Sequence, residues 1–291
     1  MTGTGNGKKS KQPLAAGSAL VSQGTAIEAA SHNAYLRARG IDPRGPLQLD
    51  IWPDTVREIP NDYARSALFT VRNKKEPRAS MQGAVVFHVE KAVKITYSGM
   101  ELRADDDELV WQQILDYAKR SPLGEPIEFN LHQLCQDLGW SVNRTYYNRL
   151  RACITRLKAN EVRVENQRLG RGVAMSLIRE YEFEGGGEQG TKYRVWIHPN
   201  LIMLFAGKNS TRIEWAKYRE VSPIARRLYD YWASHKQPFP LRLDTFYKMC
   251  ASTCSSPRKW KQMVKAACEE LAKAGMVGKA WVDEESVFCE R

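Results

Sequence analysis

Long apolar runs are missing from this 291-residue chain, and histidine and cysteine are scarce. The strongest apolar cluster, 201–206, is far below the roughly 18 residues that a membrane-spanning helix needs. No apolar segment follows the basic start, so no secretory signal is expected. The five histidines (His32, His88, His132, His198, His235) are scattered and form no His-x-His pair, which excludes the metal cluster of a nicking relaxase. The six cysteines show no CxxC pair and no disulfide spacing. Cys250, Cys254 and Cys268 lack a matching fourth zinc ligand. A Walker A loop is also absent: Gly190, Thr191 and Lys192 come in the wrong order, ahead of a strand rather than a helix. Carboxylates are expected mostly in capping or surface contexts. These absences lead to the expectation of a cytoplasmic protein that is not an enzyme, with no metal and no cofactor.

What the chain does have is positive charge. Forty-four Lys and Arg against thirty-three Asp and Glu give a formal charge of +11 and a pI of about 9.4. Such an excess favours a polyanionic partner, because cations that neutralise phosphates release condensed counterions. Residues 1–60 read as a flexible basic tail, rich in Gly, Ser, Ala and Gln, with Lys8, Lys9 and Lys11 clustered and a short helix expected near 25–39. Pro43, Pro46, Pro53 and Pro60 keep its end extended.

From residue 61 the pattern becomes regular. Strands are expected at 66–71, 84–90 and 94–97, then a helix at 105–119 that opens on Asp105, Asp106, Asp107 and Glu108, acids at the positive end of its dipole. A short strand at 127–129 leads to a helix capped by Asn130, ended by Gly139 and followed at once by a helix over 142–160. Long strands at 162–167 and 173–183 meet at 168–172, and 193–197 adds another. About 114 residues on, the order recurs: Leu228-Tyr229-Asp230-Tyr231-Trp232 echoes Ile114-Leu115-Asp116-Tyr117-Ala118, with a strand at 240–243, helices at 245–251 and 256–274, and a hairpin at 277–289. Duplication is a strong organisational signal. The expected fold is α+β: two tandem winged helix-turn-helix domains, at 61–207 and 208–291, behind the tail.

A second helix of a helix-turn-helix buries one face and offers the other to base edges. Over 142–160, Tyr146, Leu150, Cys153, Ile154 and Leu157 form the apolar stripe. Arg144, Asn148, Arg151 and Thr155 lie opposite, and Arg and Asn suit guanine and adenine respectively. Asn143 joins the candidate DNA-binding set. Arg149, Arg156 and Lys158 flank that face and suit phosphates, as do Arg168 and Arg171 at the hairpin tip. In the second copy, Ser256, Arg258, Lys259, Lys261, Gln262 and Lys265 occupy the first turns. The alternative for each is a solvated basic surface.

The stretches 125–131 (EPIEFNL), 141–150 (SVNRTYYNRL) and 193–199 (YRVWIHP) resemble the TrfA family of replication initiators of broad-host-range plasmids. The match runs from about residue 47 to the end, and the architecture is similar to the wider class of iteron-binding initiators. That resemblance implies binding to repeated origin sites in double-stranded DNA, opening of an adjacent AT-rich duplex, and recruitment of the host initiator and replicative helicase. It also implies a monomer–dimer equilibrium. Single-stranded DNA is a further candidate partner. Independently, Gln48-Leu49-Asp50-Ile51-Trp52 is similar to the pentapeptide that binds the bacterial sliding clamp, with Leu49, Ile51 and Trp52 for an apolar pocket and Gln48 for its rim. An ordinary packing role for the segment is the alternative. Two other readings of the whole chain stand beside the initiator: a winged-helix transcriptional repressor that opens nothing, and an adaptor that docks clamp or helicase with only nonspecific DNA affinity.

Overall fold

The computed structural model describes residues 1, 33–34, 37, 42, 44–166, 171–185, 191–205, 209–237 and 239–290. The chain divides into two compact units, Met1–Gly45 and Pro46–Arg291. In the first, Asn33, Ala34 and Arg37 are helical, and the rest of the helix expected at 25–39 lies outside the described residues. The second carries every element below.

It begins with an extended strap, 46–55, whose Leu49 and Trp52 are each 2% exposed. Strands β1 (Val56–Pro60), β2 (Phe69–Thr70), β3 (Ser80–Val86), β4 (Val93–Met100) and β5 (Leu102–Arg103) follow, with the single turn α1 (Asn61–Ala64) after β1. Helix α2 (Asp107–Ala118) buries every residue except Tyr117, as expected of a helix enclosed by other elements. Asp106 caps it by accepting from the Asp107 amide at 2.8 Å. The strap runs beside it. Trp52 donates through Nε1 to Asp116 Oδ1 at 2.9 Å, Gln48 donates to the Lys119 carbonyl, and Lys119 bridges Asp116 and Asp54.

Next come β6 (Pro126–Asn130), α3 (Leu131–Asp137), α4 (Arg144–Lys158), β7 (Asn160–Asn166), β8 (Arg171–Met175), β9 (Glu180–Glu184) and β10 (Lys192–Trp196). The long strand expected at 173–183 is two strands in two sheets. One sheet has the order β3-β4-β7-β8 and the other β6-β10-β9. The break has a physical cause: Leu177 and Ile178 are buried, and their amides leave the ladder to bond Asn160 Oδ1 and the Leu157 carbonyl. The hairpin that stands beside α4 in the β6 sheet is therefore β9–β10, not the expected β7–β8.

Beyond a 3-10 turn (Pro199–Leu201) and α5 (Ile202–Phe205), β11 (Ser210–Glu214) pairs antiparallel with β1. Then follow α6 (Trp215–Glu220), α7 (Pro223–Ala233), β12 (Leu241–Arg242), α8 (Leu243–Met249), α9 (Pro257–Lys273), β13 (Lys279–Val282) and β14 (Ser286–Glu290). The last sheet has the order β12-β14-β13, matching β6-β10-β9. Helix, strand, helix, helix, hairpin thus occurs twice, as the internal echo predicts.

The turn between the paired helices is built the same way in both copies. Gly139 (φ 70°) and Ala251 (φ 43°) each take the left-handed conformation one residue past the helix cap. Trp140 and Ser252 donate back to the carbonyls of Cys135 and Tyr247, the pattern that closes helix C-termini. Glycine adopts this conformation freely, whereas a Cβ makes it unfavourable by roughly 1–2 kcal/mol. Ala251→Gly is therefore expected to stabilise the protein by about 1 kcal/mol, read as a higher urea midpoint with unchanged slope. An unchanged or lower midpoint would show that the turn stores no such strain.

Candidate nucleic-acid interface

Helix α4 forms because Asn143 caps it, accepting from the Tyr146 amide at 3.1 Å, and because apolar residues recur at helical spacing. Its buried side is Tyr147, Leu150, Cys153, Ile154 and Leu157. Tyr147, not the expected Tyr146, belongs to this stripe: it lies three residues before Leu150 and seven before Ile154. Tyr146 instead packs against Trp140, 5.6 Å between ring centroids. Arg144, Asn148, Thr155 and Lys158 are exposed and Arg151 is half-buried, so the expected polar face exists. Arg151 donates to Asn148 Oδ1 at 3.0 Å, which joins two of the candidate base-reading side chains. The Asn143 side-chain oxygen is engaged as the cap.

The flanking arginines are placed differently. Arg149 pairs with Asp105 at 2.5 Å and lies over the Trp140 ring at 4.6 Å. Arg156 pairs with Asp107 at 2.8 Å. Arg78 reaches both Asp106 and Asp107 at 2.7 Å. Acids expected at a helix end or surface are in fact largely buried, and they hold α4 against the N-terminus of α2. Burial raises the Asp106 carboxyl, but Arg78, Arg149 and Arg156 pull it below its ordinary value. Burial and the Asp106 charge push the Asp107 carboxyl up to about 6. Asp106, Asp107 and Cys153 stand close enough to share an ion, but the guanidinium groups already occupy the carboxylates.

In the second copy, Ser256 caps α9 by accepting from the Lys259 amide at 3.3 Å, with Pro257 in the first turn. Arg258, Lys259, Gln262 and Lys265 are exposed. Lys261 is half-buried and donates to the Glu284 carbonyl at 3.1 Å. Further along, Glu270 accepts from the Ser222 amide at 2.8 Å and from its hydroxyl at 2.5 Å, so this acid faces α7. Arg168 lies outside the described residues. Arg171 opens β8, in the β3-β4-β7-β8 sheet. In the pentapeptide, Leu49 and Trp52 are buried, Trp52 bonded to Asp116 of α2, Gln48 is half-buried, and Asp50 and Ile51 are exposed.

A sequence model of the TrfA protein family matches residues 44–291. The chain belongs to the TrfA family. A curated relative from Escherichia coli, the plasmid replication initiator protein TrfA, is 51% identical over 240 residues, which is 82% of this chain and 63% of the relative's length. Domains 2 and 3 of RctB share the fold, with TM-score 0.50 and 11% identity, covering 79% of this chain and 96% of that one. A second RctB structure, residues 155–483, gives 0.48 and 12% over 76% and 92% of the two chains. No helix among the described residues of this TrfA-family chain is long and apolar enough to cross a membrane.

One group beside α4 escaped the sequence reading. Phe129, Tyr193 and Phe183 stack across β6, β10 and β9, with centroids 6.0 and 5.9 Å apart. Tyr181 joins them, and its hydroxyl lies 3.4 Å from Thr155 Oγ1 on α4. The alternation Glu-Tyr-Glu-Phe-Glu over 180–184 carries the signal, but it is hidden when 173–183 is taken as one strand.

The raised Asp107 carboxyl has a testable sign. A folded-state value of about 6 against an ordinary 3.8 means that the folded protein holds the proton more tightly than the unfolded chain. The stability from this group is complete below pH 4 and is lost as pH rises through about 6. Asp107→Asn lacks that titration. Its melting temperature relative to wild type should rise between pH 4 and 7, and a difference that is constant with pH would refute the assignment.

Proposed function

We propose that this chain initiates plasmid DNA replication by binding repeated origin sites with two winged helix-turn-helix units. The observation that carries the reading is 51% identity, across most of the chain, to a relative named as a plasmid replication initiator. In this reading α3 and α4 form one helix-turn-helix with β9–β10 as its wing, and α8 and α9 form the other with β13–β14. Arg144, Asn148, Arg151 and Thr155 read base edges from α4. Arg258, Lys259, Gln262 and Lys265 do so from the first turns of α9, while Lys158 neutralises phosphate. The work is binding in the cytoplasm rather than catalysis. It opens an adjacent AT-rich tract and recruits the host initiator and helicase, with a monomer–dimer equilibrium setting the active form.

Footprinting on the encoding plasmid tests this. Several tandem protected repeats beside a permanganate-reactive AT-rich tract are expected, whereas a single protected palindrome without melting would point to a repressor. Arg144→Ala or Asn148→Ala should weaken binding to the repeat by roughly 1–3 kcal/mol and relax discrimination. Lys158→Ala should weaken all sequences alike and flatten the salt slope. Arg149→Ala should instead lower thermal stability, because its guanidinium holds Asp105. Equal effects from all four would contradict this division of the helix.

The sliding clamp is a further proposed partner, with a condition attached. Leu49 and Trp52 are the residues a clamp pocket would take, and both are buried, Trp52 in a bond to Asp116 of α2, so docking requires the strap to leave its place. Trp52→Ala should cost roughly 3–5 kcal/mol, as for other buried tryptophans, and depress DNA binding together with clamp pull-down. A melting temperature equal to wild type would show instead that the strap contributes nothing to the core.

A further inference from the structure

The aromatic row beside α4 is graded in burial. Phe129 and Tyr193 are inside the fold, Tyr181 is half-buried, and Phe183 is 64% exposed at the outer end. It stands on β9, the edge strand of its sheet, one residue before that strand ends. What sets this exposed ring apart from singly exposed apolar side chains, which are ordinary on a protein surface, is the stacked aromatic row behind it. The row is continuous with that face: Tyr181 meets Thr155, and Arg151 bears on the Tyr193 hydroxyl.

The acids of the same hairpin do not oppose this contact. Glu180, Glu182 and Glu184 alternate with the aromatic residues and so turn to the other side of the sheet. There Glu182 stands opposite Arg194, which pairs with Glu128 at 2.9 Å. The side of the hairpin that adjoins α4 is therefore aromatic and uncharged, next to Arg151 and Thr155.

We propose that Phe183, backed by Tyr181 and Tyr193, is a wedge that enters between base pairs of bound duplex DNA at the flank of the site α4 reads, and unstacks that step. Apolar side chains inserted in this way kink DNA and weaken local stacking. The stacked row behind Phe183 supplies the rigid support a wedge needs, since Tyr193 and Phe129 cannot yield without disturbing the core. The inference rests on the proposed DNA-binding role of α4 and deepens it: it assigns the distortion of the duplex to one side chain, apart from the residues that read sequence. The hairpin then couples recognition to the first loss of stacking.

The test uses the full chain and duplexes containing the footprinted origin repeat, with 2-aminopurine replacing adenine at successive positions across and beside it. Wild type should raise the fluorescence several-fold at one step flanking the protected bases. Phe183→Ala should abolish that rise and weaken binding about 3- to 10-fold, with unchanged melting temperature. Phe183→Trp should restore the signal. Fluorescence in Phe183→Ala equal to wild type would overturn the wedge while leaving the reading of α4 intact. Failure of wild type itself to bind the repeat in preference to scrambled duplex would overturn both.

Discussion

The Arg227 guanidinium is fully buried, and it ties α7 to α2. It rises from α7 to meet Glu108 of α2 at 3.0 Å and Asp230 of its own helix at 2.9 Å. Its other nitrogen donates to the carbonyls of Tyr63, Ala64 and Ser66 at 2.5–3.2 Å. Removing one partner from such a group leaves a buried charge uncompensated, which commonly costs about 3–5 kcal/mol. Two carboxylates against one guanidinium would leave excess negative charge. Burial pushes both carboxyls up, so the site favours holding a proton. Arg226 adds a bond to the Ala104 carbonyl at 2.7 Å, and β1–β11 pairing closes the same seam.

Helix α2 is therefore a hub with two ends in use. At its first turn, Asp106 and Asp107 grip α4 through Arg156, while Asp105, just before the cap, takes Arg149. One residue later Glu108 grips α7 through Arg227. Four adjacent acids thus set the positions of α4 and of α7. The strap covers the far end of α2, where Trp52 and Lys119 share Asp116. A shift of α2 would be felt at α4, at α7 and at the strap together, because a packed interior transmits displacement.

Much of this was legible in the sequence because it is local. The 3.6-residue spacing of Leu150, Cys153, Ile154 and Leu157, the Asn130 cap and the Gly139 turn specify two successive helices without distant partners, whereas the Asn143 cap emerged only from the structure. The echo at residue 228 extended that order to the second half. What could not be read depends on contacts far apart in sequence. The acids at 105–108 look like ordinary dipole complements until Arg78, Arg149, Arg156 and Arg227 arrive from elsewhere. The β8–β9 break hinges on Asn160 and on a carbonyl of α4, so 173–183 looks like one strand. Tyr146 and Tyr147 are adjacent, and only packing against Trp140 decides which turns inward. For the pentapeptide, sequence suggested an exposed peptide, while Leu49 and Trp52 are buried, Trp52 in a bond to the distant Asp116 of α2.

The two units solve one problem by different means, and the difference bears on how each would read DNA. Both present a capped helix behind a left-handed turn and beside an antiparallel hairpin. In the first, ion pairs add to the buried apolar stripe of α4: Arg149 and Arg156 answer the acids of α2, while Arg144, Asn148, Thr155 and Lys158 are exposed and Arg151 is half-buried. In the second, α9 packs through Trp260, Val264, Ala267, Cys268 and Leu271 and bonds Ser222 through Glu270, and Arg258, Lys259 and Lys265 remain in solvent. Attraction among exposed charges fades with salt, whereas buried pairs are screened much less. The first helix thus keeps its orientation as salt rises. If both engage one duplex across the Arg227 joint, each brings three cations to it, Arg144, Arg151 and Lys158 from α4 and Arg258, Lys259 and Lys265 from α9, and α4 is in addition held by ion pairs that salt screens little.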